Sequence, residues 1–189
     1  MRTLLVSGST GGIGSAVTEV AKARGWEVAV VNRGDFAAGR LPLPDRIDAV
    51  VFATGTCPVK PAALTSDELF AETVRVNCGL FLRLVREILE EKRANPEGMR
   101  VLAVSSVSAV EGWPGGAAYC ASKGALSALC RALDAELGRK RISVRALEPR
   151  YVRTKMFDAC AGRMGVPASA AVLPRDFAEE VVDELEAVL

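Results

Sequence analysis

The chain has 189 residues, half of them apolar and 5% aromatic, with 24 Lys and Arg against 23 Asp and Glu, a net charge of +1, and no histidine. That is the size of one ordinary domain able to bury a core, and its balanced charge gives no global field to recruit nucleic acid or an anionic membrane. The missing imidazole excludes Ser-His and Cys-His nucleophile pairs and His-ligated metal sites.

Five cysteines, Cys57, Cys78, Cys120, Cys130 and Cys160, show no Cys-x-x-Cys spacing. They read as reduced, mostly buried small hydrophobes, so neither a disulfide framework nor a metal site is expected. Met1-Arg2 runs directly into a strand without a signal-peptide pattern, and no apolar run approaches the ~20 residues needed to span a bilayer. The expectation is a cytoplasmic protein folded as a single domain over residues 1–189, with no nucleic-acid or membrane partner.

Strand-like and helix-like segments then alternate. Thr3 to Ser7 is a short apolar strand that ends at Gly8-Ser9-Thr10-Gly11-Gly12-Ile13-Gly14; Ser15 to Arg24 reads as a helix closed by Gly25, and Glu27 to Val31 as a second strand. A glycine-rich turn between a strand and a helix N-terminus suits a phosphate, because glycine permits close backbone approach and the free N–H groups and helix dipole attract an anion. The turn therefore reads as a dinucleotide cradle, the alternative being a Gly-rich turn without a ligand.

The spacing of Gly8, Gly12 and Gly14, Gly-x-x-x-Gly-x-Gly, resembles the cofactor turn of the short-chain dehydrogenase/reductase family. The fold that this resemblance implies is a Rossmann-type, doubly wound parallel α/β sheet. A carboxylate at the end of the second strand would serve the ribose hydroxyls of NAD, and a cation the 2′-phosphate of NADP. Asn32-Arg33 stands there, so NADP(H) is the expected cofactor, with NAD(H) as the alternative and a solvated loop cation as the bland reading of Arg33.

Only Gly34 to Arg46 separates the second strand from the apolar run Ile47 to Ala53, an interval in which the family fits a third strand and a crossover helix. Asp35 to Ala38 offers at most a brief strand, and Leu41-Pro42-Leu43-Pro44 opposes a helix. The crossover helix is expected to be lost or reduced to a loop. Ala53, Thr54 and Gly55 resemble the family's Asn-Ala-Gly segment beside the adenine ribose. Ser66-Asp67-Glu68 caps the next helix, which carries helical apolar spacing from Leu69 to Arg93. Within it, Asn77 resembles the asparagine that bends this helix and holds a water linked to the catalytic lysine.

Arg100 to Val104 is another strand, and it delivers Ser105, Ser106 and Ser108 beyond its carboxyl end, where open parallel sheets bind ligands. Ser106 lies thirteen residues before Tyr119, the family spacing for the catalytic serine. Ala117 to Gly138 reads as a long helix carrying Tyr119 and Lys123. Their i, i+4 spacing can put an ammonium beside a phenol on one face, and a fixed cation favours the ionised form of a phenol that otherwise titrates near ~10. The resemblance makes Tyr119 the general acid/base, Lys123 the group that lowers its pKa and binds nicotinamide ribose, and Asn77 and Ser106 the other catalytic residues.

After the strand Ile142 to Leu147, Pro149, Val152 and Thr154 match the family's nicotinamide-carboxamide segment, with Arg150 in place of its glycine. Met156 to Ala171 would be a short lid, and a last helix from Pro174 to Leu189 leaves no room for the family's seventh strand. The cofactor set is then Gly8, Ser9, Thr10, Gly12, Ile13, Gly14, Asn32, Arg33, Ala53, Thr54, Gly55, Asn77, Tyr119, Lys123, Pro149, Val152 and Thr154. The expected function is hydride transfer between nicotinamide and a small carbonyl or alcohol, in a compact apolar pocket near Val107, Val110, Trp113 and Met156. A homodimer or homotetramer would form through the two long helices. The alternative is an NAD(P)-binding regulatory protein with little catalysis, favoured by the shortened crossover and lid.

Overall fold

Alternation along the strands decides the layers. In β1 (Thr3–Ser7), β3 (Ala49–Phe52) and β4 (Met99–Val104), Leu5, Val50, Phe52, Val101 and Ala103 point to one face of the sheet, and Leu4, Val6, Ala49, Val51, Leu102 and Val104 to the other. Strands buried on both faces carry continuous apolar runs, as parallel sheets covered by helices require. The computed structural model, which describes residues 1–187, shows five parallel strands in the order β2-β1-β3-β4-β5, with β2 at Glu27–Val31 and β5 at Ile142–Leu147.

The first face is covered by α4 (Leu80–Glu90) and α5 (Ala117–Leu137), which contribute Phe81, Leu84, Ile88, Leu126 and Leu137. The second is covered by α1 (Gly12–Ala23) and α7 (Pro174–Glu186), through Val17, Val20, Val181 and Leu185. Pro174 enters α7 at its first turn, where a missing N–H costs nothing. The expectation that this helix reaches Leu189 lies partly outside the described residues.

The shortened crossover is a helix, not a strand or a bare loop. Asn32 and Asp35 form a capping box, and Asp35 accepts from the Asn32 backbone N–H at 2.7 Å, starting the six-residue α2 (Arg33–Ala38). It stops at Gly39, whose φ of +101° no β-carbon tolerates well, and the prolines beyond keep residues 40–46 irregular. Phe36 and Leu41 plug into the core, and Arg83 of α4 donates to the Phe36 carbonyl (2.7 Å) and the Gly39 carbonyl. β2 therefore forms one edge of the sheet and β5 the other, with no seventh strand among the described residues.

The expected helix from Leu69 to Arg93 is interrupted. Ser66 caps α3 (Asp67–Val74) by accepting from the Leu69 N–H, a wider turn runs over Arg75–Gly79 with i to i+5 bonding, and α4 follows. Such a turn accommodates one extra residue and redirects the side chains inside it. Asn77 is one of them.

Candidate active site

Every strand end that faces Gly8 opens onto one cavity of ≈ 570 Å³. At one side, Gly8 sits at φ +87°, and a β-carbon there would lie 2.7 Å from the Thr54 nitrogen. Ser7 and Thr54 hydroxyls bond at 2.7 Å beneath the turn. Gly12 is pressed against Thr154, whose methyl would lie 2.7 Å from any β-carbon. Gly11 leads into α1 with no side-chain cap, and the first backbone bond of the helix is the Ser15 N–H to the Gly11 carbonyl. The N–H groups of the first turn are left to a ligand, with the dipole behind them.

Thr10, Gly11, Gly12, Ile13, Asn32 and Arg33 line this end of the cavity, with Ala53, Thr54 and Gly55 across from them. Ser9 does not line it; its hydroxyl donates to the Asn32 side chain at 3.1 Å. Gly14 also stands behind the wall, where a β-carbon would overlap the Gly8 carbonyl. Arg33 is exposed and donates to the Gly55 carbonyl at 3.2 Å. The nearby carboxylate of Asp35 is held in the α2 capping box, away from the cavity.

The other end is built on buried hydrogen bonds. Asn77, fully enclosed, accepts from the Thr56 N–H (2.7 Å) and donates to the Thr56 carbonyl (2.9 Å) and the Ser122 hydroxyl (2.8 Å), thereby joining the loop after β3 to α5. Lys123 donates to the Val104 carbonyl at 2.7 Å. Ser105 ties its hydroxyl to the Lys123 carbonyl (3.1 Å) and to Ser127 (2.9 Å), and Ser127 donates to Glu148 at 2.6 Å. α5 is thus clamped to the ends of β4 and β5, which fixes the height of Tyr119 and Lys123. Ser106 accepts from the Ser108 N–H at 3.1 Å, and Trp113 donates to the Ser108 hydroxyl at 3.2 Å while its ring meets Tyr119 at 6.3 Å between centroids.

Burial governs the charges here. It pushes the Tyr119 phenol well above its ordinary range, with the neighbouring Cys57 adding to the rise and a hydrogen bond with Ser106 opposing it. Burial also pulls the Lys123 ammonium down to about 8. The Lys123 nitrogen lies 5.7 Å from the Tyr119 ring centroid. Desolvation of the phenol therefore sets the direction, opposite to the lowering expected from its lysine.

The roof is looser. Pro149, Arg150, Val152 and Thr154 border the cavity, and Thr154 caps α6 (Lys155–Met164) by accepting from the Phe157 N–H at 3.2 Å. The expected lid is thus mostly helical. The Arg150 side chain is exposed and pairs with Glu111 at 3.2 Å. Of the expected apolar surroundings, Trp113 and Met156 line the cavity, whereas Val107 does not and Val110 is 80% exposed. Tyr151, Phe157, Met164, Cys57 and Cys160 take those places instead. Sequence spacing gave no sign of the two cysteines, which come from segments about a hundred residues apart; only two of the five cysteines, Cys130 and Cys160, are buried, a correction to the expectation that most would be.

A family model described as short chain dehydrogenase matches residues 36–163. The chain belongs to that family. As a short-chain dehydrogenase it is an NAD(P)-dependent oxidoreductase acting on the CH–OH/C=O pair. It is similar to a 3-oxoacyl-(acyl-carrier-protein) reductase of Rickettsia felis, at 23% identity over 95% of this chain and 87% of the relative. It is 33% identical to a cyclopentanol dehydrogenase of Comamonas sp. over 59% of this chain and 44% of that one. Among solved structures, 4-hydroxyisoleucine dehydrogenase complexed with NADH aligns with a TM-score of 0.80 at 20% identity, covering 100% of this chain and 92% of that one. An actinorhodin polyketide ketoreductase with NADPH also aligns at 0.80, with 22% identity and 97% and 90% coverage. These likenesses show the Rossmann-type fold. Among the described residues, no helix is long and apolar enough to cross a membrane.

Proposed function

We propose that this chain is an NADP(H)-dependent oxidoreductase for a small carbonyl or alcohol, with Tyr119 as general acid/base. The observation that carries the reading is the clamp of α5: buried bonds from Asn77, Ser105 and Val104 hold Tyr119 and Lys123 at the mouth of a glycine-lined cavity.

The uncapped α1 N-terminus and the tight Gly8 turn fit a pyrophosphate. Gly8, Ser9, Thr10, Gly12, Ile13 and Gly14 would form or brace that cradle, with Ala53, Thr54 and Gly55 beside the adenosine portion and Pro149, Val152 and Thr154 beside the nicotinamide. When bound, the dinucleotide supplies or accepts the hydride. Arg33 at the open end of the cavity, with Asp35 withheld in its capping box, favours a 2′-phosphate over bare ribose hydroxyls. A lower dissociation constant for NADPH than for NADH is expected, and the reverse would assign NAD(H).

In carbonyl reduction, Ser106 donates a hydrogen bond to the carbonyl oxygen and Tyr119 gives its proton to the developing alkoxide. A phenol kept protonated by burial suits that direction. Lys123 would stabilise the tyrosinate as the proton leaves and would hold the nicotinamide ribose, and Asn77 would anchor a water that returns a proton. Trp113, Tyr151, Met156 and Phe157 shape a compact, mainly apolar substrate space. NADPH consumption with a panel of small ketones and aldehydes tests the reading. Turnover of at least one carbonyl supports it, and tight cofactor binding with no turnover across the panel overturns it in favour of a binding protein. Exposed Phe70 and Leu82 on α3 and α4 favour assembly as a homodimer or homotetramer, which the mass in solution would show.

A further inference from the structure

Two thiols meet across the cavity in a way that the hydride chemistry does not use. Cys57 follows β3 on the loop that Asn77 holds through Thr56, and Cys160 lies on the inner side of α6, 2% exposed; their sulfurs are 3.3 Å apart. Both line the cavity beside Tyr119, and Cys57 is only half-buried, so a small reagent entering the cavity reaches it first. The contact joins the braced floor to the helix of the roof. α6 is otherwise held at its start by the Thr154 cap and by Phe157, whose ring meets Tyr151 at 5.8 Å between centroids.

We propose that Cys57 and Cys160 are a reversible dithiol–disulfide modification site whose oxidation fastens α6 over the cavity. The oxidant is a low-molecular-weight disulfide, RSSR. The Cys57 thiolate attacks one of its sulfurs, forming Cys57–S–S–R and releasing RSH. The Cys160 thiolate then attacks the Cys57 sulfur, forming the internal disulfide and releasing the second RSH. The two protein thiols lose two electrons and two protons, and both appear on the two RSH molecules. A disulfide needs its sulfurs near ~2.0 Å, so a small inward shift of α6 completes it. Burial holds the Cys57 thiol above its ordinary range and Lys123 works against that rise, which makes the exchange slow and sets an incubation of hours.

The test incubates the full chain with glutathione disulfide, alkylates it under denaturing conditions and digests it with trypsin. Each cysteine falls in a different tryptic peptide, at residues 47–75, 76–83, 101–123, 124–131 and 156–163. The expected result is a cross-link between 47–75 and 156–163, with the thiol count falling from five to three. In the native protein, cleavage after Lys155 and Arg163 should slow at least about tenfold on oxidation and recover with dithiothreitol. Glutathione adducts alone, or a link from Cys57 to Cys120, would overturn the site, and a correct cross-link with unchanged cleavage would overturn the fastening of α6. One further readout rests on the oxidoreductase reading: turnover should fall at least about tenfold on oxidation, while Cys57→Ser, which forms neither the mixed disulfide nor the link, keeps whatever rate it had beforehand. An inactive starting protein with the correct cross-link would sink that reading and leave the thiol site standing.

Discussion

The floor and the roof of the cavity are held by different kinds of force. Below, Asn77, Ser105, Ser122, Lys123 and Ser127 are buried and join α5 to the strand ends through bonds of 2.7 to 3.1 Å. Above, residues 149–171 are held by the Thr154 cap, by backbone bonds from Val107 to Pro149 and between Tyr151, Arg153 and Val172, by the buried Val152, Phe157 and Cys160 side chains, and by an exposed Arg150–Glu111 pair. Buried polar groups are costly to leave unpaired, whereas an exposed ion pair contributes about 0–1 kcal/mol. In the proposed reaction the groups that move the proton stand on the side held by buried side-chain bonds, and access falls to the side held by backbone bonds and apolar contacts.

Substitutions can break that contrast, beginning with the floor. Lys123→Met removes the buried ammonium and should lower turnover by about 10³-fold, measured as initial rates at saturating NADPH. Titrating the same group is milder. The proposed reduction would need Lys123 charged and Tyr119 protonated; Lys123 loses its proton as pH rises through about 8, while burial keeps Tyr119 protonated beyond that point. The pH profile of kcat/KM for reduction should therefore be level below pH 8 and fall about tenfold per unit above it. Stability moves the other way. With a folded pKa below the unfolded value of about 10.4, the unfolded chain binds the extra proton between the two, so this group's destabilising effect, full below pH 8, fades as pH rises through that window.

Asn77→Ala strands both backbone groups of Thr56 and should remove about 2 kcal/mol of stability, seen as a Tm lower by about 6 °C, together with a fall in turnover. The smallest change belongs to the roof. Arg150→Gly breaks only an exposed pair and should leave kcat within about threefold, with any effect in KM. A large loss of kcat there would show that the roof is as tightly engaged as the floor.

What the sequence made legible follows from how locally each feature is determined. The glycine turn, the Ser106, Tyr119 and Lys123 set and the succession of strands along the chain rest on short-range spacing and on apolar runs, and the structure brings Gly8, Ser106, Tyr119 and Lys123 to one cavity. Leu41-Pro42-Leu43-Pro44 opposes a helix, so α2 is not expected from the sequence, yet the Asn32 and Asp35 capping box starts one ahead of those prolines. The break at Asn77 was anticipated, but its form as a wider turn over Arg75–Gly79 depends on which loop lies opposite. Long-range contacts left no local trace: the bond from Ser127 to Glu148, the meeting of Cys57 and Cys160, and the replacement of Val107 and Val110 by Tyr151 and Phe157 all arise from how separate segments fold together. The balance between burial and charge at Tyr119 was illegible for the same reason.

In the proposed reaction Tyr119 moves the proton on a floor that binds dinucleotide independently of it. Tyr119→Phe keeps the ring against Trp113 and removes only the hydroxyl. Measured side by side, the variant should show an NADPH dissociation constant within about threefold of the parent and a turnover lower by about 10³-fold. Full turnover in Tyr119→Phe, with NADPH bound as before, would contradict the account.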